Sequence, residues 1–158
     1  ENPAAYPAWE VLGDLGIPMC IQTGPIGLPQ VRDLAVRFPK VNIILDHLGR
    51  PDVLDGPPYA NADSLFAMAD LPNIYLKLTP RIMGDVTKGQ ASADTFFTKV
   101  AAVFGANRMA WGSNFPTSPG TLSDILATAR DRLACLSDED QNWVFAKTAQ
   151  TLYPALKD

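Results

Sequence analysis

Short apolar runs of strand length alternate along this chain with longer segments whose apolar residues recur at helical spacing. The run Ile43-Ile44-Leu45 is rich in β-branched residues, which is typical of a buried strand. The segment 122–136 instead carries an apolar residue about every three or four positions, which predicts a helix. These patterns predict strands at 17–23, 41–46, 73–79 and 108–113, helices at 5–16, 28–38, 62–69, 92–104, 122–136 and 137–152, and polar loops at 52–60 and 80–90.

Strands that alternate with helices indicate parallel βαβ units and therefore an α/β fold. Two architectures use such units, an open doubly wound sheet and a closed (β/α)₈ barrel. A complete barrel needs about 250 residues and eight strands. The 158 residues of this chain supply half that number of predicted strands, so we expect residues 1–158 to form a single domain of four βα units.

Composition and charge narrow the class of protein. With 47% hydrophobic residues, the chain is too apolar for disorder and long enough for one core. The net charge of −4 argues against binding to nucleic acid or to an anionic membrane surface. We expect a cytoplasmic protein, since the sequence shows no apolar run of membrane-spanning length and no signal peptide. The first residue is Glu1 rather than Met, and we expect the chain to be a piece of something longer.

Polar residues follow each predicted strand, at the end where active groups collect in parallel α/β folds. Ordinary polarity of strand ends near water is the alternative explanation of this pattern. In chain order, the residues are Gln22 and Thr23, then Asp46, His47 and Arg50, then Lys77, Thr79 and Arg81, and finally Ser113 and Asn114.

Two of these residues stand out as candidates for chemistry. His47 is the only histidine of the chain, and its ordinary pKa suits a general acid or base near neutral pH. A structural histidine that bonds a loop carbonyl is the alternative. Lys77 lies in a predicted parallel strand, where both faces are usually buried, so it requires an anionic partner, a substrate or solvent. The alternative for Lys77 is a structural ion pair with Asp46 or another carboxylate.

Several familiar sites are missing from the sequence. It contains no Gly-x-Gly-x-x-Gly, no phosphate-binding P-loop and no Gly-x-Ser-x-Gly elbow. One histidine without clustered cysteines cannot supply the three N or S ligands of a usual zinc site. The two cysteines, Cys20 and Cys135, are too few for a disulfide scaffold, and we expect both thiols to be buried as small apolar groups.

Three segments together resemble the amidohydrolase-2 family of TIM-barrel hydrolases, in the family's order and over nearly the whole chain. They are residues 34–51, which contain Asp46-His47-Leu48-Gly49-Arg50-Pro51, residues 104–116, which contain Trp111-Gly112-Ser113-Asn114-Phe115-Pro116, and residues 136–154. The resemblance implies the second half of a (β/α)₈ barrel, strands five to eight. It also implies hydrolysis of lactones or amides, with one branch of the family acting as decarboxylases.

The resemblance further implies roles for His47 and Asn114. His47 matches the histidine after strand six, and Asn114 stands where most relatives place a metal-binding aspartate after strand eight. Asn114 has no negative charge and cannot take up a proton, although its amide can still orient water or a carbonyl. A divalent metal such as zinc, with His47 as a ligand, stays open as a cofactor. That option is weakened by Asn114 and by the absence of a His-x-His pair.

We therefore expect a hydrolase that opens a carboxylated lactone or another cyclic ester or amide. His47 and Asn114 are the catalytic candidates, and Lys77, Arg50, Arg81 and Gln22 are the candidates for binding an anionic small-molecule substrate. A decarboxylase of the same superfamily and an inactive half-barrel are the alternatives. Four βα units leave sheet edges open, so we expect a homo-oligomer or association with the missing N-terminal half.

Overall fold

The computed structural model describes residues 3–157, which contain four short parallel strands. They are β1 (Met19–Ile21), β2 (Ile43–Asp46), β3 (Ile74–Leu78) and β4 (Met109–Trp111). The strands are hydrogen-bonded in the order β1-β2-β3-β4, so each strand pairs with the strand that follows it in the sequence. A doubly wound sheet reverses its strand order at a switch point, whereas a barrel adds strands in sequence. The sheet is therefore the partial barrel that the sequence predicts, with strands shorter than predicted.

Helices connect the strands and follow the last one. The described residues contain α1 (Tyr6–Leu15), α2 (Leu28–Arg37), α3 (Asp63–Phe66), α4 (Pro80–Asp85), α5 (Ala93–Phe104), α6 (Leu122–Arg132), α7 (Asp138–Asn142) and α8 (Thr148–Leu152), together with short 3₁₀ turns. A π-helical segment, Trp143–Lys147, joins α7 to α8. The helix predicted from 137 to 152 is therefore present without interruption from Asp138 to Leu152, and its middle turn is π-helical rather than α-helical.

Helix α4 lies where the sequence predicted a polar loop. Thr79 is extended, and Pro80 occupies the first turn, where its missing N–H costs nothing. Ile82 and Met83 are buried, and they anchor the short helix to the core. The sequence did not predict this helix because the segment is mostly polar and too short for a helical pattern of apolar residues.

The two faces of the sheet differ in what covers them. The helices pack on the face that carries Ile43, Leu45, Ile74, Leu76 and Met109, which belong to the main hydrophobic core. The register of the strands places the intervening residues on the opposite face. We call this opposite face the open face; its residues are Cys20, which is exposed, Asp46, Tyr75 and Lys77, which are partly buried, and Ile44 and Ala110, which are buried.

The open face corrects the prediction for the cysteines. Cys20 is exposed on this face, and Cys135 is exposed near the end of the segment that follows α6. Cys20 lies mid-strand as predicted, but a mid-strand position buries a side chain only where a second layer covers that face.

Within residues 3–157, no helix combines the length and apolar character required to cross a membrane. The cytoplasmic location stays a prediction.

Candidate functional site

The turn that follows β2 has an unusual backbone. His47, Leu48, Gly49 and Arg50 all have φ between 55° and 69°. Such left-handed conformations cost free energy for residues with a Cβ atom, and three of these four residues have one. Leu48 is fully buried, and the backbone N–H of Arg50 donates to the His47 carbonyl at 2.8 Å. Core packing therefore holds a strained turn at the carboxyl end of the sheet, and His47 is its first residue.

The His47 side chain is fixed from the neighbouring strand. Its Nδ1 lies 2.7 Å from Oγ1 of Thr79, which directly follows β3. Thr79 is completely buried, and His47 is partly buried. The bond orients the imidazole and leaves Nε2 as the nitrogen that is open to a substrate.

Asp46 and Lys77 form an ion pair on the open face. They are direct register partners in β2 and β3, so the two side chains start from adjacent positions. Their exposed fractions are 20% for Asp46 and 32% for Lys77. The ion pair that the sequence left open as an alternative for Lys77 is therefore present, and it places an ammonium group close to His47.

The surroundings of His47 favour its neutral form. Burial lowers the pKa of His47 from its ordinary 6.5, and the positive charges of Arg50, Lys77 and Arg81 lower it further. The negative charge of Asp46 acts in the opposite direction. The lowered pKa favours the uncharged imidazole at neutral pH, and the charges of the nearby cations are opposed by that of Asp46.

The remaining predicted site residues lie further from this pair. Arg50 is exposed, and Arg81 is exposed in α4, 3.9 Å from Asp85. Gln22 is exposed directly after β1. These residues surround the carboxyl end of the sheet, as predicted, but only the arginines affect the pKa of His47.

Asn114 belongs to the loop after β4, and its side chain turns into that loop. Its φ is 51°, a conformation that asparagine tolerates better than most residues. Its Nδ2 donates to Oγ of Ser118 at 3.1 Å, and the Ser118 backbone N–H donates to the Asn114 carbonyl at 2.9 Å. In the part of the chain that the structure describes, Asn114 makes no hydrogen bond to His47, so the two catalytic candidates are not directly linked.

Two residues of this region were missed as site residues. Thr79 appeared only as one polar strand end among several, because its pairing with His47 spans two strands. Tyr153 follows α8, and its hydroxyl lies 3.7 Å from Cys20 Sγ on the open face. Burial, Cys20 and the charge of Asp46 raise the pKa of Tyr153 to about 12, so this phenol stays protonated.

The described residues do not form a metal site by themselves. Across residues 3–157, no group of three His, Cys, Asp or Glu side chains lies close enough together to hold an ion. Asp46 is engaged by Lys77, and Asn114 offers an amide where a carboxylate would be needed. These residues fit a bound metal poorly, and His47 at most adds one ligand to a set supplied from elsewhere.

Comparison with known proteins gives one curated relative whose activity is named. The chain is 27% identical, over 123 residues, to L-fucono-1,5-lactonase from Burkholderia ambifaria. The match covers 75% of this chain and 41% of the lactonase.

Solved structures share the fold at lower identity. A zinc-bound amidohydrolase from Burkholderia multivorans superposes with a TM-score of 0.77 at 19% identity, covering 97% of this chain and 58% of that one. A putative 2-pyrone-4,6-dicarboxylic acid hydrolase from Pseudomonas putida gives 0.75 at 19%, covering 97% and 57%. A manganese-bound dihydroxybenzoic acid decarboxylase from Polaromonas gives 0.67 at 15%, covering 99% and 55%. The chain thus spans about half the length of these relatives.

The sequence model described as Amidohydrolase matches residues 1–155, which is nearly the entire chain. With the sequential parallel sheet and the histidine that directly follows its second strand, this match shows that the chain belongs to the amidohydrolase family.

Proposed function

We propose that the protein carrying this chain is a hydrolase that opens a carboxylated lactone or a related cyclic ester or amide. The observation that carries the proposal is the position of His47. It lies at the carboxyl end of the sheet, fixed by Thr79 and surrounded by the cationic groups of Lys77, Arg50 and Arg81. The likeness to a lactonase supports a cyclic ester as the reacting group.

The proposed reaction is an attack of water on the ring carbonyl, followed by cleavage of the ring C–O bond; the proton that the water loses is taken up by the departing ring oxygen, so the products are a carboxylic acid and a hydroxyl group. His47 serves the reacting ester through Nε2, by donating a hydrogen bond or a proton to an oxygen that gains charge. The cations bind the substrate carboxylate, since guanidinium and ammonium groups pair readily with carboxylates. Asn114 and Gln22 are proposed to orient the water or the substrate by hydrogen bonding.

Substitution of His47 tests this proposal. We expect His47→Gln to lower kcat/KM for ring opening by about 10² to 10⁴, because general acid–base groups contribute on that scale. The assay uses 2-pyrone-4,6-dicarboxylate as the carboxylated probe and L-fucono-1,5-lactone as a lactone without a carboxylate, with the unfolding midpoint of each variant measured in parallel. Turnover at the wild-type rate by a folded His47→Gln variant contradicts the proposal.

A decarboxylase is the second candidate, and the fold likeness to the Polaromonas enzyme favours it. That reaction releases carbon dioxide, whereas ring hydrolysis releases none. Detection of carbon dioxide from a dihydroxybenzoate probe, together with no turnover of either lactone, favours the lyase. The carboxylate-binding role proposed for the cations would be unchanged.

We also propose that the remaining half of a barrel covers the open face. This chain spans 58% of the zinc-bound neighbour, so a large part of that fold has no counterpart within residues 1–158. Within residues 3–157, β1 and β4 each pair with a single strand, so both edges of the sheet are available. We therefore expect the isolated chain to have little activity. Self-association through the free sheet edges is the alternative to covering by the remaining half of the barrel.

A further inference from the structure

We propose that Thr79 is a positioning residue that holds His47 as the Nε2–H tautomer, so that the imidazole presents a hydrogen-bond donor to the substrate. The inference rests on the proposed function for its catalytic meaning. The tautomer itself is a property of the resting protein, and it can be observed without any turnover.

The hydroxyl of Thr79 does not cap the helix that it precedes, although its position in the chain suggests that role. It is the residue before α4, and threonine in that position commonly accepts a backbone N–H of the first turn. Ser92 and Thr121 do so before α5 and α6. The structure shows no such bond from the Thr79 side chain within the described chain. Its hydroxyl pairs across the strands with His47 instead.

The hydroxyl hydrogen of Thr79 needs a hydrogen-bond acceptor. The residue is completely buried, and Nδ1 of His47 is the hydrogen-bond partner of Oγ1 among residues 3–157. If Nδ1–H donated to Oγ1, the threonine hydrogen would have no acceptor in this buried place. If Oγ1–H donates to Nδ1, both groups are satisfied. A buried donor without an acceptor is costly enough to favour the second arrangement by about tenfold or more.

The second arrangement fixes the chemistry of the other ring nitrogen. With the lone pair of Nδ1 accepting from Thr79, the ring proton resides on Nε2. Burial also lowers the pKa of His47, so the neutral ring is the form concerned. A neutral Nε2–H stabilises negative charge on a carbonyl oxygen by hydrogen bonding, without transferring its proton. It offers no lone pair to a metal ion.

With its proton on Nε2, His47 stabilises the carbonyl oxygen during ring opening, and the water is activated by another group. As water attacks the ring carbonyl, charge develops on the carbonyl oxygen, and the Nε2–H bond to it strengthens. The imidazole keeps its proton throughout, so no imidazolate has to form. Thr79 acts only through His47, by keeping the lone pair on Nδ1 engaged.

Nitrogen NMR of the imidazole tests the inference in the protein that carries this chain, where the His47 signals are identified as those missing from the His47→Gln variant; His47 is the single histidine of residues 1–158. In the ¹⁵N-histidine protein above the pKa of His47, we expect Nε2 to give the signal of a protonated nitrogen. Nδ1 should give the signal of an acceptor shifted by a hydrogen bond. Thr79→Val should move the Nδ1 signal toward that of a free acceptor and admit the second tautomer. Thr79→Ser, which keeps the hydroxyl, should restore the wild-type pattern.

Two results would overturn the inference: a protonated Nδ1 in the wild-type protein, or identical imidazole spectra for wild type and a folded Thr79→Val. Activity gives a separate readout, in which Thr79→Val should lower kcat about tenfold with little change in KM. If the tautomer is as stated but His47→Gln retains full activity, the proposed function fails and this inference stands. If Nδ1 carries the proton while His47→Gln is inactive, this inference fails and the proposed function stands.

Discussion

Asp46 and Lys77 are direct partners in the parallel register of β2 and β3, and their side chains form an ion pair on the open face. The lysine thereby neutralises a carboxylate that immediately precedes His47. Both groups are mostly shielded from solvent, so their attraction is screened less than that of a surface pair.

A double-mutant cycle on this pair should show a measurable coupling. We expect Asp46→Asn and Lys77→Met to be coupled by about 1 kcal/mol in urea unfolding, at the upper end for partly exposed pairs. Lys40 and Asp14 provide the control, because their groups are 3.6 Å apart but 78% and 74% exposed. The Asp14→Asn and Lys40→Met cycle should give a coupling close to zero. Equal couplings in the two cycles would contradict the expected shielding.

Gly49 should resist substitution because of both its backbone and its neighbours. Its φ is 69°, and an added Cβ would lie 3.1 Å from Leu28 Cδ2. We expect Gly49→Ala to lower the free energy of unfolding by about 1–2 kcal/mol. Gly84 in α4 is the matched control, since its added Cβ meets no atom within 4 Å. Gly84→Ala should be neutral or stabilising by about 0.5–1 kcal/mol. Similar losses in both variants would show that the left-handed turn is not the cause.

Asn73 should be a strong stability determinant at the amino end of the sheet, opposite the candidate site. Its buried amide donates to the carbonyls of Ala35 and Val41 at 3.1 Å and of Phe38 at 3.4 Å, joining the segment before β2 to the start of β3. Asn73→Ala removes the amide donor from all three carbonyls, of which that of Phe38 still accepts from the Val41 N–H, and we expect a loss of about 2–3 kcal/mol in chemical unfolding. Asn142→Ala, at an exposed position of α7, should change stability by less than about 0.5 kcal/mol. An unaffected Asn73→Ala would mean that the amide bonds contribute no net stability.

Much of the fold could be predicted from local sequence, because runs such as Ile43-Ile44-Leu45 have one plausible use, in a buried strand. Helix α4 was missed because its apolar anchors are only Ile82 and Met83, too few for a periodic pattern. The order β1-β2-β3-β4, which excludes a doubly wound sheet, depends on long-range pairing that no local pattern reveals.

The candidate site was predictable as a set of residue types and only in part as a set of contacts. His47 and Lys77 stood out because a lone histidine and a strand lysine are unusual. The ion pair of Lys77 with Asp46 was one of the alternatives that the sequence offered, whereas the bond of His47 to Thr79 depends on strand register and was not predicted. Asn114 shows the same limit, because its bond to Ser118 arises from the shape of one loop.

Stability should depend on pH through His47. Its pKa is lowered in the folded protein, chiefly by burial, so the unfolded chain binds a proton first as the pH falls. The wild-type protein should therefore lose stability from about pH 7 to about pH 5.5, beyond the loss caused by carboxylates. His47→Gln should lack this component, so the difference in unfolding free energy between the two proteins should shrink or reverse with falling pH. A constant difference across this range would contradict the lowered pKa.

The reactivity of Cys20 should reveal whether the open face is covered. In the isolated chain its exposed thiol should react readily with a disulfide reagent such as dithionitrobenzoate. With the remaining barrel half present, we expect the reaction to slow by at least about tenfold, because that half would bury the face. Cys135 is exposed elsewhere, and partial desolvation of its thiol raises its pKa, so it should react at the same slow rate in both samples. A Cys20→Ser variant separates the signals of the two thiols.

Light scattering distinguishes a self-associated pair of chains from a complex with the other half of the barrel. Two results together would contradict the covered face: the isolated chain is a monodisperse monomer that unfolds cooperatively, and Cys20 stays fully reactive in the complete protein.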